Sequence, residues 1–289
     1  DANGGIYAFD LKGRIIPDKV IKPVGRPNNI DVEQGISVGD TLIDIAIFTE
    51  RLTEKIRVIS VPEMEYIDNG GIRVFEGEAT EDERACMGIS IFRDPADGQV
   101  YAFVSRKYGP SGSYILQYRL NGSDSTFSGE VVRKFGEFSG KGEIEAIGVD
   151  DELGYVYYSD ESKGIYKYYA HPDSSDEYLD LFGENDFTED REGIAIWPTS
   201  ADKGYLVISD QQDHSFEVYP REGEKGDPDQ HISIANLKLS TIETDGCDIH
   251  ADSLSVEFPE GIMVAMSENG VFHYYDLRVL LPQIKGSMK

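Results

Sequence analysis

The sequence predicts an all-β protein, a β-propeller of six blades with the first incomplete at the N-terminus. Three observations lead there. Short runs of β-branched and aromatic residues alternate with turn residues, which is the pattern of hairpins. These hairpins recur about every fifty residues, a period typical of propellers and solenoids. An acidic phrase recurs with them: Glu143-Ile144-Glu145-Ala146-Ile147, then Asp190-Arg191-Glu192-Gly193-Ile194, then Glu243-Thr244-Asp245-Gly246-Cys247-Asp248-Ile249. Its central acids, Glu145, Glu192 and Asp245, stand 47 and 53 residues apart.

Each unit can be read in order. Gly5–Asp10 has the look of a third strand whose first two partners are missing. In the next unit Asn29–Val32 precedes the pair Ile43–Phe48 and Lys55–Ile59. Gly88–Phe92 precedes Val100–Val104 and Ser113–Tyr118, and Gly129–Phe135 follows as a fourth strand. Ala146–Val149 leads to Tyr155–Asp160 and Gly164–Tyr168, and Gly193–Ile196 to Gly204–Asp210 and Ser215–Tyr219. The last hairpin is Gly261–Ala265 with Gly270–Tyr275. About four strands per unit is the make-up of a propeller blade. No helix of ordinary length is expected, and no Pro- or Ser-rich linker divides the chain, so residues 1–289 are read as a single domain.

Composition excludes several roles. The formal charge is −27, which disfavours nucleic acid as a partner because phosphate backbones attract basic surfaces. No run approaches the roughly 18 apolar residues needed to span a membrane. Cys86 and Cys247 form no CxxC or zinc pattern, and a single disulfide and two free thiols both remain open. The five histidines, at 171, 214, 231, 250 and 273, lack metal-ligand spacing. Neither an RHGxR motif nor a Cys-x5-Arg loop is present, which rules out two covalent phosphatase chemistries.

In a propeller the first strand of each blade lines the central channel. Acids repeated at the start of those strands should ring one mouth of it. Any one of them alone would be an ordinary solvated strand end. As a set, without matching cations, they would attract a hard metal ion such as Ca²⁺.

The run Glu143–Tyr168, with Asp160-Glu161 inside it, resembles the alkaline β-propeller phytases. So do Thr188–Gly193, Gly204–Gln211, Thr244–Asp248, the Asn28-Asn29-Ile30-Asp31-Val32 element and Asp44–Arg51. The likeness runs through nearly the whole chain in order. It implies a six-bladed, calcium-dependent phosphoric monoester hydrolase that removes phosphate from phytate (myo-inositol hexakisphosphate). By matching position it implies that Glu145, Glu161, Asp190, Glu192 and Asp245 are calcium-site acids and catalytic residues. Gln211, Asn29 and Asp31 match further metal or structural positions, and Arg51 and Lys107 match cations that hold substrate phosphate. Several calcium ions, a phosphate-ester partner, a monomeric state and a secreted or periplasmic location come with the resemblance. The family's Asp-Asp-Pro strand and the basic residues before the Gly5 strand have no counterpart among these residues, and Met87-Gly88 stands where the family has Tyr-Gly. Two other readings share the blade pattern: a calcium-centred propeller hydrolase of lactonase type, and a binding propeller without catalysis.

Overall fold

In the computed structural model, residues 4–123 and 126–287 are described. The chain forms two compact units, residues 1–145 with 170–177, and residues 146–169 with 178–289. The described residues are almost wholly β, and the fold is of the propeller class: successive antiparallel sheets whose strands neighbour one another in chain order.

The first unit opens with a two-stranded ribbon, β1 (Gly4–Phe9) and β2 (Ile15–Val24). A four-stranded sheet follows: β3 (Pro27–Val38), β4 (Thr41–Glu50), β5 (Lys55–Val61) and β6 (Ile72–Arg73). The single-turn helix α1 (Glu81–Arg84) leads into a second, β7 (Cys86–Arg93), β8 (Val100–Arg106), β9 (Ile115–Ser123) and β10 (Thr126–Phe135). Alternate residues of these strands, among them Ile45, Ile47, Ile56, Val58, Ile89, Ile91, Ala102 and Val104, make one continuous core. That alternation is the period-2 signal the sequence carried.

The second unit holds β11 (Ile147–Asp150), β12 (Tyr155–Asp160), β13 (Gly164–Tyr169) and β14 (Asp180–Phe182) in one sheet. The next contains β15 (Ile194–Ser200), β16 (Lys203–Asp210), β17 (Ser215–Pro220) and β18 (Ala235–Lys238). The last has three strands, β19 (Cys247–His250), β20 (Ile262–Ser267) and β21 (Val271–Asp276). It is followed by α2 (Leu277–Ser287).

Two expectations are corrected. Six blades were expected, whereas five sheets have three or four strands, and Gly5–Asp10 lies in the two-stranded ribbon. The reason is local. The Asp10 carboxylate accepts from the amides of Lys12 and Arg14 and pairs with the Arg14 guanidinium at 2.6 Å, so the chain turns straight back into β2. A helix was not expected, yet α2 runs for eleven residues and buries Leu277, Leu280 and Ile284 on one face. Pro282 inside it hid the pattern, because proline lacks the N–H that a helix interior needs. The disulfide question is also settled, since Cys86 and Cys247 are both free thiols. No described helix is long and apolar enough to cross a membrane.

Buried charges pin each unit. In the first, Glu50 accepts from the Gly25 amide (2.9 Å), the Thr53 hydroxyl (2.8 Å) and the Arg57 guanidinium (3.0 Å), and Arg57 also reaches Asp68 at 2.7 Å. In the second, Arg221 bonds Asp150 at 2.5 Å and Glu152 at 2.8 Å. Lys167 donates to the Pro228 carbonyl at 2.6 Å and to Asp229 at 3.1 Å, with its ammonium 3.8 Å from the Tyr155 ring centre. Replacing one partner of a buried pair strands the other charge. Arg221→Ala should therefore cost about 3–5 kcal/mol in urea unfolding, because Asp150 is only 1% exposed. A loss below 1 kcal/mol would show that Asp150 finds water or another donor. Burial pulls the Glu50 carboxyl up, but the bonds from Gly25, Thr53 and Arg57 outweigh it and hold the group below its ordinary value. Its contribution is thus complete above the ordinary carboxylate range and lost as pH falls through the lowered folded value. Glu50→Gln should flatten the acid limb of a stability-versus-pH curve. An unchanged limb would place the acid sensitivity elsewhere.

Candidate active site

A hydroxyl near the end of a second strand sets the site's register. In the first unit the Thr49 side chain of β4 accepts from the Asn29 amide (3.3 Å) and donates to the Met87 carbonyl (2.6 Å). Ser105 of β8 repeats this, accepting from the Gly88 amide (2.8 Å) and donating to the Ile144 carbonyl (2.5 Å). In the second unit Ser209 of β16 accepts from the amides of Gly193 (2.9 Å) and Glu192 (3.3 Å) and donates to the Thr244 carbonyl (3.4 Å). Each hydroxyl ties the start of its own sheet's first strand to the next segment that carries a site residue. Backbones then run very close. A Cβ on Gly88 would lie 2.1 Å from the Glu145 carbonyl oxygen, so only glycine fits there.

Two residues beyond the hydroxyls of Thr49, Ser105, Ser159 and Ser209 stand Arg51, Lys107, Glu161 and Gln211. The sequence had singled out all four, but not the Ser/Thr-x-residue pattern that unites them. The same register reaches Glu268 in the last sheet, where Met266 replaces the hydroxyl and its amide donates to the Gly246 carbonyl at 2.9 Å. Glu268 was missed because the family likeness did not extend to it.

In the first unit Arg51 and Lys107, 56 positions apart, line one cavity of about 230 Å³. Arg26, Arg84, Glu54, Glu81 and Asp82 line it too. Arg84 is neutralised by Glu54 at 2.9 Å, and Lys107 lies 3.5 Å from Glu143. Arg51 differs. It sits in the turn Arg51–Thr53 that ends β4 and is only 7% exposed, yet its guanidinium has no hydrogen-bond or ion-pair partner among the described residues. A buried charge without a counter-ion is costly unless a ligand supplies one.

Asn29 and Asp31 lie two apart on β3 and so share a face. The Asn29 side-chain oxygen accepts from Asn28 at 2.7 Å. The Asp31 carboxylate accepts from the Ser90 hydroxyl (2.9 Å) and from the amides of Ile91 (2.7 Å) and Val32 (2.7 Å), which joins β3 to β7. Burial raises its pKa, and the three donors oppose that rise.

In the second unit a chain of bonds links Asp190 to Asp245. Gln212 donates to the carboxylate of Asp190 and to the side-chain oxygen of Gln211, both at 2.8 Å, and Gln211 donates to Asp245 at 2.6 Å. The Asp190 amide returns a bond to Gln212 at 2.7 Å. Gln212 carried no signal of its own in the sequence. Arg191 is buried and bonds the backbone carbonyls of Glu161, Asp160 and Gly183, so it ties Glu161 to the Asp190–Glu192 phrase. Its desolvation pulls its pKa down. The Gly193 backbone abuts Cys247, where an added Cβ would meet the amide nitrogen at 2.9 Å, and this sets Glu192 beside the Asp245 phrase. Glu161, Asp190, Glu192, Asp245 and Gln211 thus belong to neighbouring segments of one unit, while Glu145 belongs to the first unit. Among the described residues no three His, Cys, Asp or Glu side chains form a ready-made metal cluster. The donors these segments offer are all oxygens, carboxylate and amide, the set a hard cation takes. Histidine is peripheral. The one buried imidazole, His231, is held by Asp180 at 3.0 Å and stacked on Phe182.

Comparison with known proteins identifies the family. The profile of the family described as Phytase matches residues 1–273. The 3-phytase of Bacillus subtilis (strain 168) is 26% identical over 279 residues, covering 92% of this chain and 69% of that protein. Among solved structures, a humanized mutant of the Chaetomium thermophilum Polycomb Repressive Complex 2 bound to the inhibitor GSK126 superposes with a TM-score of 0.55 at 10% identity. The match covers 95% of this chain and 53% of that one, so the present chain spans about half its length. A nidogen/laminin complex gives 0.53 at 11% identity, covering 95% and 86%. At such identities the likeness concerns the fold alone. The family match extends over nearly all of the sequence, and the chain belongs to the phytase family of phosphoric monoester hydrolases.

Proposed function

We propose that this protein removes phosphate from phytate or a closely related phosphate ester in a calcium-dependent reaction with water as the nucleophile. The buried Arg51, without a partner and facing a cavity that Lys107 also lines, is the observation that carries the phosphate reading. A guanidinium grips phosphate through two parallel N–H bonds, and a lysine adds a point charge. On this reading Arg51 and Lys107 orient the ester, and the phosphate supplies the counter-charge that Arg51 lacks.

A chain of charge −27 needs help to hold a polyanion. The oxygen donors of Glu145, Glu161, Asp190, Glu192 and Asp245, with Gln211, Asn29 and Asp31, would hold calcium ions. Bound there, calcium would offset phosphate charge and make a nearby water easier to deprotonate. Asp31 already accepts three bonds, which makes it the donor most committed to the fold. The Gln211 amide now caps Asp245, and the two would part to offer oxygens to a cation. Glu192 or Asp245 would receive the proton of the attacking water. Arg191 holds the Glu161 backbone in place while the acids work. The need for abundant free calcium suits a secreted or periplasmic setting.

Phosphate release from phytate, titrated with calcium, tests the reading. Activity should rise with calcium and vanish in a chelator, and the melting temperature should fall with it. At a hundredfold excess over Kd the bound ion adds about 2.7 kcal/mol of stability. Full turnover in chelator would overturn the calcium part, and release from lactones instead of phosphate esters would overturn the substrate. Arg51→Ala should lower kcat/KM on phytate by about tenfold or more, the worth of a hydrogen bond to a charged group. Its melting temperature should hold or rise, because an unpaired buried charge is removed. Normal kinetics with a lowered melting temperature would make Arg51 a structural residue.

A further inference from the structure

Arg26 is a second guanidinium on the Arg51 cavity. It is exposed at the rim, and among the described residues its side chain has no hydrogen-bond or ion-pair partner. Its backbone is unusual. Its φ is +56°, in the left-handed region that side chains other than glycine, asparagine and aspartate rarely enter. The local structure enforces that conformation. The Arg26 amide donates to the Val24 carbonyl (2.9 Å), and its own carbonyl accepts from the Arg51 amide (3.1 Å). Next to it the Gly25 carbonyl accepts from the Leu52 amide (3.0 Å), and the Gly25 amide donates to Glu50 (2.9 Å). Residues in such conformations persist where surrounding bonds over-determine them, and they gather at ligand clamps. Glycine would be at ease here, yet the position carries the side chain with the most N–H donors.

Two unpaired guanidinia on one small cavity repel each other, and Arg51, 7% exposed, has little freedom to swing away. The cavity's carboxylates do not relieve this. Glu54 is engaged by Arg84, and neither Glu81 nor Asp82 lies within ion-pair distance of Arg26 or Arg51. A group with several anionic oxygens would satisfy both. We infer that Arg26 is a specificity-determining residue that, with Arg51, clamps a phosphate group of the substrate, acting from the rim on binding rather than on the chemical step. This rests on the phosphatase reading above, and the test separates the two.

Arg26→Gly removes the side chain at a φ that glycine favours, so the fold should be kept, and Arg26→Lys keeps the charge but not the fork. Two measurements are made on the intact chain with calcium present: steady-state turnover of phytate, and calorimetric binding of inorganic phosphate. Arg26→Gly should raise KM for phytate about tenfold with kcat within about twofold, and weaken inorganic phosphate by a similar factor. Its melting temperature should be unchanged or higher. Arg26→Lys should recover part of both losses. If the wild type turns over phytate and Arg26→Gly matches it in KM and in phosphate binding, the clamp is overturned and the phosphatase reading stands. If phytate is not turned over but inorganic phosphate binds the wild type about tenfold more tightly than Arg26→Gly, the clamp stands and the phosphatase reading falls. If the wild type binds no inorganic phosphate, the clamp is wrong.

Discussion

The chemistry of this molecule depends on where a few strand ends are held, and hydroxyl groups hold them. Thr49, Ser105 and Ser209 each accept an amide from their own sheet and donate to a carbonyl of the next site-bearing segment. The residues they join are Asn29 with Met87, Gly88 with Ile144, and Gly193 with Thr244. Every one is at or beside a site position. A buried hydroxyl between two backbone groups leaves no room for slippage, because an unmet partner would carry its full desolvation cost. The strands behind it can vary in length and twist, while the side chains two residues beyond the hydroxyl keep a common register. That register gives Arg51, Lys107 and Gln211, two cations and an oxygen donor, as one repeated device with different heads; Glu161 stands at the same spacing from Ser159, whose buried hydroxyl makes no such bond.

Electrostatics explains why the heads differ. With 54 acids against 27 lysines and arginines, an unassigned cation should be captured by a carboxylate. Most are. Arg57, Arg84, Arg106, Arg133 and Arg221 each have an acidic partner within 3.0 Å. Arg191 bonds backbone carbonyls instead of a carboxylate. Arg51 and Arg26, which line the same cavity, have no such partner among the described residues. The chain thus holds two guanidinia beside strand ends without a carboxylate partner among the described residues. That arrangement makes sense when the missing counter-charge comes from outside, as phosphate.

How much of this could be read from residues alone follows from the range of each signal. Strand positions were legible because alternation is local, and β4, β8, β12, β16 and β20 all contain the expected runs. The acidic phrases were legible because a repeat compares the chain with itself. Pairing of Arg51 with Lys107 came from family likeness, and no local pattern would have given it. Gln212 was hidden because its role depends on a neighbour in space, Asp190, that its own sequence context does not mark. Helix α2 was hidden by Pro282, and the blade count went astray because a strand's partners cannot be counted from the strand itself. Arg26 was invisible for a related reason: nothing in Gly25-Arg26-Pro27 announces a left-handed arginine, which the bonds from Arg51 and Leu52 impose.

Met87 shows how a site can change while its frame does not. The family resemblance leads one to expect a tyrosine there, and a phenol can donate a hydrogen bond where a thioether cannot. In the structure Met87 is fully buried, and its contribution to the register is made by its carbonyl, which accepts from Thr49. Any side chain of suitable volume leaves that bond intact, and methionine adapts readily to an irregular core. The register therefore imposes no chemical demand on the Met87 side chain. It demands glycine next door, where the Glu145 carbonyl lies 2.1 Å from a Cβ that is not there. Position 87 can drift and position 88 cannot. A hydrogen-bond donor can then be lost from the site at little cost to folding, and the loss must be met by donors on other elements. On the proposed reading, the guanidinia of Arg51 and Arg26, held through backbone bonds that do not involve Met87, would supply such donors.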